Sequence, residues 1–160
     1  VSVADFNRYC RISKECKARR TKLSFPMTQV SRAEIDQFAA WLSKLSGATY
    51  RLPTESEWAH AANANGKQPK RNFNCTVIVG TQQLKGLSLT GFKSGLPNGW
   101  GLINYLGNAQ ELVTTSSGTM VARGGTHKDR LSECTVNLSR PHTGSPDALT
   151  GFRLVRNVGG

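Results

Sequence analysis

An α+β domain, with helices in the N-terminal half and short antiparallel strands joined by long loops in the C-terminal half, is what this 160-residue sequence predicts. Three observations carry that prediction. Capping-box pairs followed by apolar residues at helical spacing occur before Gly66. Beyond Gly66, short apolar runs are punctuated by Gly, Asn, Ser and Thr, the pattern of strands and turns. Three separated strings, YRLPTESEW from Tyr50, GWGLINYLGNAQEL from Gly99 and TGFRLVR from Thr150, mix glycine, proline, aromatic and charged residues in a way that neither period generates.

Ser2 and Asp5 form an N-terminal cap, after which Val3, Phe6 and Tyr9 to Cys10 share one face, so a short helix is expected over 3–13. A basic stretch from Lys14 to Pro26 follows. Ser31 and Glu34 make a capping box, Ile35, Phe38, Leu42 and Leu45 recur at helical spacing, and Gly47 stops the run, which sets a helix over 32–46. Pro53 forces Leu52 toward an extended conformation, and Thr54 with Glu57 opens a third helix through Trp58, Ala61 and Ala62 toward Gly66. Strands are expected at Thr76–Val79, Gly101–Leu106, Leu112–Thr114, Met120–Arg123 and Phe152–Val155.

The length suits one domain, and no repeat, low-complexity tract or linker divides it. No run of roughly 18 apolar residues is present to span a bilayer. The opening VSVADFNRYC has neither the basic nor the apolar region of a signal peptide, nor an initiating Met, so the chain reads as a cut-out or processed piece. Its net charge of +11, from 21 basic and 10 acidic residues, steers it toward anionic partners. The densest cluster, Lys14, Lys17, Arg19, Arg20 and Lys22, lacks the interleaved aromatics of a base-stacking platform and reads as a solvated surface, so no specific nucleic-acid partner is expected.

Cys10, Cys16, Cys75 and Cys134 form no C-x-x-C pair and sit far from any regular histidine spacing, which argues against zinc. Four cysteines allow two disulfides in three connectivities, or four idle thiols in a reducing compartment. If Cys10 pairs with Cys16 the first helix must end between them, because six helical residues span about 9 Å and a disulfide tolerates roughly 7 Å. Cys75 and Cys134 are then the long-range pair. Disulfides, and with them a periplasmic or extracellular location, are favoured. No G-x-S-x-G elbow, phosphate loop or H-E-x-x-H occurs, and His127 beside Asp129 or His142 near Asp147 reads as a loop residue making local hydrogen bonds.

The three strings, in this order and with Arg123-Gly124-Gly125 between the second and third, resemble the formylglycine-generating enzyme superfamily, also called the sulfatase-modifying factor domain. The resemblance runs from about Val3 to Arg156 and implies a variant of the C-type lectin fold, here without the family's N-terminal strands. It also implies where chemistry would sit. The family's two copper-binding thiols fall near Lys128 and Glu133, neither of which is cysteine, so no copper and no oxidase activity are expected. His60, His127 and His142 show no facial-triad pattern for iron. A family calcium site maps onto Asn104, Gly107, Ala109 and Glu111, where a single carboxylate implies weak binding, on the order of 10⁻⁴ to 10⁻³ M. The family's second calcium site, near Leu84 to Gly86, lacks its Asp.

The expected function is a non-catalytic ligand-binding or sensory module. The CTVNLSRPHTGSPDALTGFRLVR ending resembles members appended to bacterial Ser/Thr protein kinases. Binding is expected at loops 85–98 and 126–148, with Lys128, Asp129, Arg130 and His142 as ligand-loop residues and a protein or anionic ligand as partner. Three alternatives stand beside it: the variable ligand-binding protein of a diversity-generating retroelement, a formylglycine-generating oxidase and a basic polyanion-binding domain. An unpaired sheet edge where the N-terminal strands would lie points to homodimerisation.

Overall fold

The structure is a computed structural model that describes residues 1–67 and 73–157. Three helices come first: α1 (Val3–Ser13), α2 (Arg32–Ser46) and α3 (Glu55–Asn63), the last followed by a 3₁₀ turn over Ala64–Gly66. All three capping boxes form, Ser2 with Asp5, Ser31 with Glu34 and Thr54 with Glu57. Each serine or threonine side chain takes an orphan N–H of the first turn while the carboxylate takes the cap's own N–H. Left-handed residues end the helices, Lys14 after α1, Gly47 after α2 and Ala64 after α3.

Among the described residues, eight strands fall into three sheets. β1 (Tyr50–Arg51) pairs with β8 (Val155–Arg156), and β2 (Val77–Val79) pairs with β3 (Gln82–Lys85). The third sheet has the order β6-β5-β4-β7, made of β4 (Gln110–Thr114), β5 (Met120–Arg123), β6 (Ser139–His142) and β7 (Thr150–Gly151). One pairing corrects the all-antiparallel expectation: β4 and β7 run parallel, with Glu111 opposite Gly151.

β4 explains why a small sheet organises the whole domain. Its alternation sends Leu112 into a core with Phe6, Tyr9, Met27, Ile35, Phe38 and Phe152, and Val113 into a second core with Trp58, Ala62, Tyr105 and Leu106. Rings pack through the first core, Phe38 stacking on Phe6 at 5.7 Å and meeting Phe152 edge-on at 5.8 Å. The helical faces enter as expected except for Leu45, which is 63% exposed at the end of α2.

Gly101–Leu106 is not a strand. Asn98 accepts the N–H groups of Trp100 and Leu102, while Gly101 and Asn104 take left-handed conformations, which breaks the extended run. Phe152–Val155 is likewise interrupted, because Phe152 turns into the core and Arg153 reaches Glu111, separating β7 from β8. β6 contains Pro141, which an edge strand tolerates, since its missing N–H faces away from the ladder.

Candidate functional site

Gly107 and Asn108 act as the hinge between the core and the loops. A side chain at Gly107 would meet Cys75 Sγ at 2.4 Å and the Asn74 carbonyl at 2.6 Å, in a backbone with φ of +70°. Only glycine fits there. Asn108 is 1% exposed and uses both ends of its amide: Oδ1 accepts from the Thr90 N–H (2.8 Å) and Asn74 Nδ2 (3.0 Å), and Nδ2 donates to the Thr90 carbonyl (3.3 Å). This ties the 86–95 loop to β4. The loop and Asn104 enclose a pocket of about 380 Å³ lined by Phe73, Asn74, Leu84, Leu87 and Thr90.

Three of the four residues expected to hold calcium, Asn104, Ala109 and Glu111, line one small cavity of about 170 Å³. Gly107 lies outside that lining. The donor set does not fit the ion. Glu111 accepts from Arg153 Nε (2.5 Å) and Nη2 (2.6 Å) and from Trp58 Nε1 (2.6 Å), so a guanidinium already neutralises its charge. The Asn104 amide N–H₂ is turned onto the carbonyls of Gly91 and Phe92, both at 3.1 Å. A dication in this cavity would face a cation with no net negative charge to hold it.

Both disulfides form, Cys10–Cys16 and Cys75–Cys134. α1 ends at Ser13, which brings the Cα atoms of Cys10 and Cys16 to 4.8 Å, so the geometric condition read from the sequence is met. Two disulfides suit an oxidising environment. No helix among the described residues is long and apolar enough to cross a membrane.

The four expected ligand-loop residues divide into two groups. Asp129 receives Arg140 bidentately at 2.9 and 2.7 Å and caps Thr126 through its N–H and hydroxyl. His142 accepts the Gly144 N–H at Nδ1, which leaves the proton on Nε2 to reach Asp147 at 2.9 Å. No hydrogen bond or ion pair among the described residues joins His142 to Lys128, Asp129 or Arg130. Asp129 and His142 therefore hold loops in place, while Lys128 and Arg130 are exposed. His127, 7% exposed, faces the Gly86 carbonyl rather than Asp129.

The Arg140 guanidinium, helped by the Thr126 donors, lowers the Asp129 carboxyl to about 2, and Arg51 with the Thr54 cap does the same for Glu57. Both shifts are downward, so each group contributes stability above its unfolded value, near pH 4, and loses it as pH falls toward 2. The expected result is a melting temperature level above about pH 5 that falls between roughly pH 4 and 2, with a shallower fall in Asp129→Asn. An unchanged acid slope in that variant would contradict the assignment.

Helices leading into a β4-centred sheet, a glycine-asparagine hinge and loops pinned by buried polar pairs define a C-type-lectin-like scaffold of the formylglycine-generating kind. The chain belongs to the sulfatase-modifying factor enzyme 1-like domain family, whose model matches residues 3–158. PvdO from Pseudomonas aeruginosa has the same fold, with a TM-score of 0.70 at 20% identity over 99% of this chain and 78% of that one. CarF matches with a TM-score of 0.74 at 20% identity over 99% and 84%. Treponema denticola variable protein 1 matches with a TM-score of 0.74 at 16% identity over 96% and 81%. No curated protein sequence matches the chain.

Arg153, Trp58, Asn108 and Asn74 are the organising residues that motif reading left unassigned. Arg153, Trp58 and Asn108 lie in the TGFR, YRLPTESEW and GWGLINYLGNAQEL strings, which carry no sign of their partners; Asn74 has no signal at all, since its partner Asn108 lies 34 residues away.

Proposed function

We propose that this domain is a non-catalytic ligand-binding module of an exported bacterial protein, in the periplasm or outside the cell, serving as the sensory part of a Ser/Thr kinase. One observation carries the first part. The family resemblance puts the oxidase thiols near Lys128 and Glu133, and all four cysteines of this chain are in disulfides, so no thiol pair is available to copper(I). Cys134, adjacent to Glu133, is buried and bonded to Cys75. The kinase association rests on the likeness of the closing segment, and the compartment on the disulfides.

The surface available for a ligand is the β2–β3 hairpin with the 86–100 loop. Ile78, Val79, Leu84, Leu87, Phe92, Leu96 and Trp100 are all exposed there. From Trp58 to Gln110 the chain has no Asp or Glu, so this apolar surface carries only positive charge and suits a protein or anionic ligand. Incubation of copper-loaded protein with a cysteine-containing peptide is expected to give no aldehyde and no oxygen consumption. Turnover would sink the reading.

A further inference from the structure

The outer edge of β2 is an interrupted sheet. Thr76 donates its N–H to the Asp129 carbonyl (2.8 Å) and accepts the Leu131 N–H (3.0 Å), a parallel bridge centred on Arg130. The partner segment then turns away, with the N–H groups of Glu133 and Cys134 both donating to the Arg130 carbonyl. β2 runs on without it. Strand alternation places the N–H and C=O of Ile78 on the same edge as those of Thr76, and no described residue occupies that lane. What remains is a groove of about 420 Å³ lined by Thr76, Val77, Ile78, Arg130, Leu131 and Ser132.

Natural sheet edges are blunted by charge, proline or a covering loop. β2 reads Val-Ile-Val, with Ile78 58% and Val79 62% exposed. The groove's one charged side chain is Arg130, whose guanidinium enters no ion pair among the described residues. The two nearest acids in sequence are engaged: Asp129 by Arg140, and Glu133 by the Arg130 N–H at 3.2 Å.

We propose that this edge receives an extended segment of a partner protein, apolar with at least one acidic side chain, which adds as a strand beside Ile78 and pairs a carboxylate with Arg130. Main-chain hydrogen bonds would supply affinity, and the aliphatic walls with Arg130 would supply selectivity. Charge argues against a second copy of the chain, because each carries +11 and would bring Arg130 against its own kind. Nucleic acid fits poorly, since no aromatic ring lines the groove for a base to stack on.

The proposal rests on the binding-module reading, and its test separates the two. The probe is a fluorescein-labelled peptide of about eight residues, alternating valine with threonine and glutamate. Two controls are its lysine-for-glutamate counterpart and a version N-methylated at alternate amides, which blocks strand pairing and keeps the side chains. Saturable binding of the glutamate peptide is expected in anisotropy at physiological salt, with each control about tenfold weaker or worse. Ile78→Lys should abolish binding. Arg130→Glu should invert the preference toward the lysine peptide, a result that misfolding cannot produce.

No saturable binding up to about 1 mM, equal binding of the N-methylated peptide, or an unchanged preference in Arg130→Glu would each overturn the proposal. So would a concentration-dependent dimer in gel filtration that Ile78→Lys dissolves, since the edge would then belong to a second copy. A protein that neither oxidises the cysteine peptide nor binds this probe loses the edge site and keeps the binding-module reading.

Discussion

Arg153→Ala will lower stability by about 3–5 kcal/mol and the melting temperature by roughly 10 °C. The reason is an uncompensated charge. Glu111 sits on β4 between the two cores, 8% exposed, and without Arg153 it keeps one donor, the Trp58 indole. Arg153 also holds the 101–106 segment through the Ile103 carbonyl at 3.3 Å, so that loop should loosen as well. Glu111→Gln should cost less, because it retains an acceptor for Trp58 and strands a cation whose side chain is 25% exposed against 11% for the carboxylate.

The pair is measured by a double-mutant cycle. Arg153→Ala with Glu111→Gln should be less damaging than the sum of the singles, by about 1–3 kcal/mol. Additive losses would mean that the guanidinium and carboxylate do not sustain each other. The wild type should melt at the same temperature in calcium and in excess EGTA, since Arg153 occupies the place a cation would need. A rise in melting temperature with calcium would show that Glu111 releases Arg153 to bind the ion.

The contrast between what the sequence disclosed and what it concealed follows from range. α1 and α2 were legible to the residue because a capping box is complete within four positions and its stop within one more: Ser31, Glu34 and Gly47 settle α2 without reference to the rest of the chain. β6 and β3 were not legible. Ser139–His142 contains a proline and Gln82–Lys85 is polar, and each is a strand because of its neighbour, β5 or β2. Gly101–Leu106 misled in the other direction, its apolar residues being drawn to the second core by glycine and asparagine turns.

The site follows the same rule. Glu111 reads in the sequence as the single carboxylate of a calcium site with Asn104, Gly107 and Ala109, and the guanidinium that engages it lies 42 residues on. Lys128, Asp129, Arg130 and His142 read in the sequence as ligand-loop residues; that Arg130 lines a groove with β2 depends on the Thr76 bridge, which has no local signature.

Replacing Cys75 and Cys134 together by alanine will cost about 4 kcal/mol, against about 2 kcal/mol for the Cys10 and Cys16 pair. The difference is loop length: the bonds close sequence separations of 59 and 6 residues, and the longer loop removes more freedom from the unfolded chain. A loss of that size is a large share of the 5–15 kcal/mol that holds a typical domain together, so the reduced protein should be marginal at 37 °C. This links the fold to an oxidising compartment by energetics as well as by cysteine pairing.

The loss should also be local before it is global. Cys75 is fully buried against Gly107, and the next residue, Thr76, makes the bridge to Asp129 and Leu131. Without the disulfide, exchange at the Thr76 and Leu131 amides should accelerate ahead of the β4 and β5 amides, opening the β2 edge while the sheet persists. Hydrogen exchange read residue by residue distinguishes this from simple destabilisation. Uniform acceleration across β4, β5 and Thr76 would show that the bond stabilises the domain as a whole and does not brace the groove in particular.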